Sequence, residues 1–415
     1  MQQLIFTAIV AIIIISFLWE MFFDYLTSTR WKLLIPSELT DIVDETKYNK
    51  SIEYQKAKMK LSVISSIISL VFMLAILFFG GFQWLYESTK ALISNVILLN
   101  LAIIGFFFLV QSIVSLPISY YSTFVIEQKF GFNKSTKALF FLDYFKGLLL
   151  GVAIGAPILA LIIWFYTLYP TSFWIIALAV VASFLIFITF FYTTLIVPIF
   201  NKLTPLSDGS LKESIESFAQ KVDVQLNSVS MIDGSKRSSK ANAYFSGFGK
   251  KKRIVLYDTL LNQMNEEEVV AVLAHEVGHY KHKHVIKGMV FGLFTTAIMF
   301  YIFSLFVGNP LFVQSVGVEE SSFAIGIIIF TILFEPVSAV IGLIQTVMSR
   351  KNEYQADAYA ASHGYGNQLI SGLKKLHVEN FSNINPHPLV VFFEYSHPPL
   401  IQRIGALKEA EGRSQ

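Results

Sequence analysis

The chain has 415 residues, 54% of them hydrophobic and only 15% charged, with a mean hydropathy of +0.58. Soluble globular proteins carry nearer 25% charged residues, so this composition points to a membrane. The net charge of +3 is too small to suggest a nucleic-acid partner, and the lack of cysteine excludes disulfides, thiolate metal sites and cysteine nucleophiles, leaving His and carboxylates to hold any metal.

Seven stretches are long and apolar enough to cross a bilayer as helices, near 4–26, 61–82, 92–117, 148–168, 173–199, 286–308 and 323–348. The first runs too long for a signal-peptide core and lacks a small-x-small cleavage site, so it reads as a retained span. A basic connection covers 27–60 and a shorter one 118–147. Two polar regions remain, one near 200–285 and one near 350–415. Lys and Arg number seven, one, four, none, thirteen, none and seven in successive connections and the tail. That alternation fits the positive-inside rule for seven spans with the N-terminus outside, and it puts both polar regions on the cytoplasmic side, where they can build one site. Some polar groups lie within or beside the spans: Glu20, Asp24, Asn95, Asn100, Gln111 and Glu335. They are expected either to hydrogen-bond between helices or to line a water-filled cavity.

Residues 265–287 read NEEEVVAVLAHEVGHYKHKHVIK. Asn265 is a good N-cap, Glu268 completes a capping-box pattern, and Glu266 and Glu267 suit the positive end of a helix dipole. His275-Glu276-Val277-Gly278-His279 therefore falls inside a helix. Residues i and i+4 share a helix face, so two imidazoles there can bind one Zn²⁺. Glu276 can reach the open position of that metal without ligating it and take a proton from water. Gly278 lets another element pack close. His282 and His284 read instead as exposed histidines beside lysines at a basic membrane interface. A third ligand is required. Residues 351–361, KNEYQADAYAA, look helical and put Glu353 and Asp357 on one face. Glu353 is the candidate ligand, and Asp357 a candidate acceptor for a ligating imidazole N–H. A solvated acidic face explains the same spacing equally well. Two His and a Glu favour zinc over other divalent ions without excluding them.

Residues 241–261, ANAYFSGFGKKKRIVLYDTLL, read as a hairpin with a basic turn, Lys250 to Arg253. Such a run is usually a solvated turn; on the cytoplasmic side it could also touch anionic lipid.

Four blocks, DGSKRSSKANAYFSG (233–247), HEVGHYKHKH, NEYQADAYA and YSHPPLIQRI (395–404), resemble the integral-membrane zinc metallopeptidases typified by CAAX prenyl protease type I, in that family's order. The resemblance implies one Zn²⁺ per chain held by His275, His279 and Glu353, with Glu276 as general base and Asp357 as the carboxylate one turn on. It further implies that His397 stabilises the oxyanion, that Arg403 supports the site, and that Asn242, Ala243 and Tyr244 form an edge strand to which a peptide adds. The implied fold is mainly α and polytopic, with seven transmembrane helices around a chamber and a cytoplasmic zincin-like catalytic domain carrying a small β-hairpin. The corresponding division is 1–199 for five spans, 200–285 for the hairpin and HExxH helix, 286–348 for two spans and 349–415 for the third ligand. Substrates would be peptides or proteins at the lipid bilayer, prenylated in the family. The compact length and the tail EGRSQ, which shows no dilysine retrieval signal, point to a bacterial inner membrane rather than the endoplasmic reticulum. Bacteria are not expected to prenylate CAAX proteins, which leaves the physiological substrate open. Two other readings stand beside this one: a membrane-protein quality-control protease resembling HtpX, which usually has fewer spans, and a seven-helix transporter or receptor that binds metal without hydrolysis.

Overall fold

The computed structural model describes residues 1–31, 34–225, 228–246 and 253–412, with backbone alone for Phe245 and Ser246. Each apolar stretch is a helix, as a backbone in hydrocarbon must satisfy its own N–H and C=O groups. These are α1 (Gln2–Ser28), α2 (Glu45–Phe78), α4 (Val96–Tyr121), α5 (Lys137–Leu168), α6 (Phe173–Phe191), α9 (His284–Val307) and α10 (Phe323–Ser362). Between α2 and α4 lies α3 (Gly81–Leu92), a short amphipathic helix with Trp84 and Leu92 exposed.

Two boundaries differ from the sequence reading. α2 begins sixteen residues earlier than its apolar stretch, so part of the basic connection is helical; Asp44 caps it by accepting from the Lys47 N–H. The seventh span and the acidic segment after it form one 40-residue helix. No glycine or proline separates them, and Pro336, within the span, does not end the helix.

Neighbour contacts run from α1 to α2, to the helical turn Ser122–Glu127 that continues α4, and on through α5, α6, α9 and α10 back to α1, closing a ring. Within each span's most apolar window only 6 to 22% of residues are buried. Most of the buried apolar side chains instead cluster at the two ends. At one end Ile9, Phe82, Ile103 and Ile325 pack together, with Phe173, Phe303 and Phe323 beside them. Asn100 pins that end: its Oδ1 accepts from the Ala324 N–H at 2.8 Å, while Asn95 caps α4. Glu20 accepts from the Ser66 hydroxyl at 2.7 Å, whereas Gln111 and Glu335 are exposed. The seven helices thus enclose a chamber.

At the other end lies the largest buried core among the described residues. A mixed sheet of order β1-β2-β4-β3 is built from β1 (Leu203–Pro205), β2 (Ser228–Ile232), β3 (Ala243–Ser246) and β4 (Arg253–Tyr257). β2 and β4 are parallel and the outer pairings antiparallel, with Ala243 opposite Leu256. β3 and β4 are the expected hairpin; its turn, with Lys250, Lys251 and Lys252, lies outside the described residues. β1 and β2 have no counterpart in the sequence reading, being three and five residues long. Against the sheet packs α8 (Glu266–Lys281), and α7 (Ser210–Lys221), α11 (Gly366–Glu379) and α13 (Leu400–Gly412) complete the same core through α8 and α10, around Leu256, Leu273, Leu369 and Ile404.

α8 starts with the capping box foreseen: Asn265 accepts from the Glu268 N–H and Glu268 accepts from the Asn265 N–H. Glu268 is buried and also accepts from Ser371 at 2.6 Å and Lys375 at 2.7 Å, so one carboxylate ties the start of α8 to α11. α8 crosses α10 at Gly278. A Cβ there would lie 2.9 Å from Ala356 Cα and 3.0 Å from Tyr359 Cβ. We expect Gly278→Ala to force the helices apart and to cost about 1–3 kcal/mol of stability. A melting temperature in detergent equal to that of the unaltered chain would show that the crossing is not close-packed.

Candidate metal centre

The α8–α10 crossing brings His275 and His279 against Glu353, with ligand atoms all within 4.8 Å of one another. The two imidazole Nε2 atoms are 3.1 Å apart. Glu353 Oε1 is 3.3 Å from His279 Nε2, and Oε2 is 3.5 Å from His275 Nε2. Two donors each 2.0–2.1 Å from a tetrahedral ion would stand about 3.3 Å apart, so the spacing fits one small cation.

The surrounding hydrogen bonds give the same answer independently. His275 Nδ1 donates to Asp357 Oδ1 at 2.9 Å, so its Nε2 carries a lone pair. On His279 the other ring nitrogen faces His284 Nδ1 at 3.0 Å, and His284 Nε2 meets Gln355 Oε1 at 2.9 Å. An amide oxygen only accepts. His284 therefore donates through Nε2 and accepts through Nδ1, and His279 donates through Nδ1. Two lone pairs and a carboxylate then face one point, with Glu353 Oε2 buried and without a hydrogen-bond partner. Such a cluster requires a cation or a proton. Burial pulls the His279 imidazole down, but the Glu353 carboxylate outweighs it and holds the pKa above the ordinary value.

Arg403, on α13, is buried and grips this cluster from behind. It donates to both Asp357 oxygens at 2.8 and 2.6 Å and lies 3.2 Å from Glu353 Oε2. Burial works against its charge, but Asp357 and Glu353 outweigh that and raise its pKa. His397 stands opposite, exposed to the cavity, with Nε2 3.4 Å from Glu353 Oε1 and Nδ1 3.0 Å from Ser396 Oγ. Its loop is held by Arg350, one turn before Glu353, which donates to the carbonyls of Val391, Phe392 and Tyr395 at the end of α12 (Pro388–Glu394).

These groups line a cavity of about 1000 Å³ that also takes in Glu276, Asn242, Ala243, Leu373 and His377. Burial, then the Arg403 charge, push the His377 imidazole down to about 4, so this wall residue is neutral at pH 7. β3 is an edge strand, as expected. Alternation along it sends the Tyr244 side chain to the other face, against Val197, Ile232 and Val255. The structure corrects one reading: His284 is buried at 6% exposure rather than solvated, while His282 is exposed. Five-residue spacing from His279 does not share a helix face, so the sequence does not mark His284 as its neighbour, and Gln355 was not singled out.

Residues 24–202 match the family described as CAAX prenyl protease N-terminal, five membrane helices, and residues 205–411 match peptidase family M48. A Saccharomyces cerevisiae relative named CAAX prenyl protease 1 is 36% identical over 93% of this chain and 92% of its own. This chain belongs to peptidase family M48. The Homo sapiens CAAX prenyl protease 1 homolog is 34% identical over 98% of this chain and 96% of its own. A crystal structure of S. mikatae Ste24p matches with a TM-score of 0.91 at 35% identity, covering 97% of this chain and 99% of that one. The chain is thus a multi-pass membrane metallopeptidase, and the transporter reading falls. The relatives named here are eukaryotic and give the bacterial expectation no support.

Asp357→Asn should keep the fold and weaken metal binding about 10–100-fold in a chelator competition. Unchanged affinity would mean that the Asp357–His275 bond does not strengthen the ligand. Arg403→Leu leaves Asp357 and Glu353 buried without their cation, and we expect a loss of about 3–5 kcal/mol, read from thermal unfolding of the metal-free protein.

Proposed function

We propose that the chain is a zinc endopeptidase that cleaves peptides at the membrane, removing the residues after a prenylated cysteine near a substrate's C-terminus. The observation that carries the reading is the convergence of His275, His279 and Glu353 at one wall of a cavity whose rim includes the edge strand β3. Names of relatives matching almost the whole chain supply the substrate class.

In this reading His275, His279 and Glu353 would hold one Zn²⁺ per chain. Bound there, the ion supplies Lewis acidity. Glu276 lies on the cavity wall beside the first ligand, takes a proton from the attacking water and passes it to the leaving amine. With Nδ1 accepting from the Ser396 hydroxyl, His397 would donate through Nε2 to the oxyanion. Asp357 and Arg403 orient His275 and balance the carboxylates. The main chain from Asn242 through Tyr244 pairs with an extended peptide, which the open edge of β3 permits. The Asn242 and Ala243 side chains would contact that peptide, and Tyr244 would anchor the strand from behind.

The lysine and arginine distribution supports a cytoplasmic site, with 200–285 and 349–415 forming one catalytic unit and 1–199 and 286–348 the membrane unit. The five-helix match over 24–202 favours this reading over a quality-control protease resembling HtpX.

The test is hydrolysis of a farnesylated CAAX peptide and its unprenylated twin by purified protein, beside Glu276→Gln. We expect the wild type to cleave the lipidated peptide, and Glu276→Gln to retain zinc while losing at least about 10²-fold in turnover. Full activity of Glu276→Gln would sink the mechanism. Equal cleavage of both peptides would remove the prenyl requirement.

A further inference from the structure

His284 stands five residues after His279, and on an unbroken helix that spacing would put it about 140° around the axis from its partner. It meets His279 because the chain breaks between α8 and α9. Lys283 adopts a left-handed conformation with φ 58°, in which a non-glycine residue is strained. The turn swings His284 back so that the two Nδ1 atoms lie 3.0 Å apart with the rings crossed at 76°. The His284 ring is buried, and its far nitrogen is engaged by Gln355 at 2.9 Å. Gln355 sits on α10 between Glu353 and Asp357, so one stretch of α10 reaches both histidine faces.

We infer that His284 and Gln355 form an uncharged hydrogen-bond relay that positions His279 and fixes its Nε2 as the lone-pair nitrogen facing the metal site. The direction of the relay follows from the amide oxygen at its end, which can only accept. The two histidine ligands are thereby supported unequally. His275 is backed by the Asp357 carboxylate, itself neutralised by Arg403, whereas His279 is backed by two neutral groups. A second carboxylate in place of His284 would add negative charge beside Glu353 with no Arg403 to balance it. The relay supplies orientation without that charge. His284 and Gln355 act through His279, as positioning residues.

This inference rests on the zinc reading above. The experiment is zinc affinity by competition with a chromogenic chelator, on the full-length chain in detergent, with no substrate present. We expect His284→Ala to weaken zinc binding about 10–100-fold relative to wild type. His284→Asn, whose side-chain oxygen can stand near the position of Nδ1 and accept, should recover most of the loss. Gln355→Lys provides a second, independent arm. An ammonium only donates, so it makes His284 accept through Nε2 and turns its Nδ1–H toward His279, reversing the relay; Gln355→Ala merely releases it. Gln355→Lys should therefore bind zinc more weakly than Gln355→Ala, and this arm decides the matter if His284→Ala does not fold. Wild-type affinity in a folded His284→Ala, or equal affinities for the two Gln355 variants, would overturn the relay while leaving the zinc site standing. A wild-type chain that bound no zinc would overturn both.

Discussion

The catalytic end of the molecule depends on one close approach, that of α8 to α10 at Gly278. Helices with ordinary side chains at their contact pack 8–10 Å apart. Here the absence of a Cβ lets Gly278 rest against Ala356, and the residues on either side then meet across the gap. His275 and His279 flank Gly278 on one helix; Glu353 and Asp357 flank Ala356 on the other. A side chain at 278 would separate these two sets by more than the few tenths of an ångström that hydrogen bonds at 2.9 Å tolerate. The glycine within the HExxH stretch is thus as much a part of the site as the groups that bear lone pairs.

Drawing two imidazoles and two carboxylates together in a buried place creates a charge problem, which the fold solves from outside the crossing. Arg403 arrives on α13 and places its guanidinium across Asp357 and Glu353. One positive charge on two carboxylates leaves a net negative site, which is the balance a divalent cation needs. Buried charges are stable only when paired and hydrogen-bonded, and Glu353 Oε2, ion-paired with Arg403 but accepting no hydrogen bond, keeps lone pairs for a cation.

Much of this was legible in the sequence, and the parts that were not have physical reasons. Long apolar stretches announce helices because hydrocarbon forbids any other open structure, so the seven spans could be read directly. The capping box at Asn265 and Glu268 is local chemistry and appeared where expected. The reach of α2 back to Glu45 was hidden because Thr46 to Lys60 has no apolar periodicity to mark it; tertiary contacts such as Tyr54 against Phe130 and Phe132 hold it. β1 and β2 are too short to show a pattern. His284 was misjudged because its burial depends on a left-handed lysine, and left-handed turns are signalled in sequence by glycine or asparagine. The ring of seven helices and the cavity at its end are long-range facts, set by which apolar faces find each other.

The unbroken helix α10 has a further consequence. Glu353 lies 30 residues beyond Phe323, or about 45 Å along the axis, while the hydrocarbon layer is about 30 Å thick. Pro336 lies within that length without ending the helix, so one continuous helix carries the carboxylate from the opposite face of the membrane ring. The distance of the site from that opposite face is therefore set by the length of a single helix rather than by a chain of connected elements.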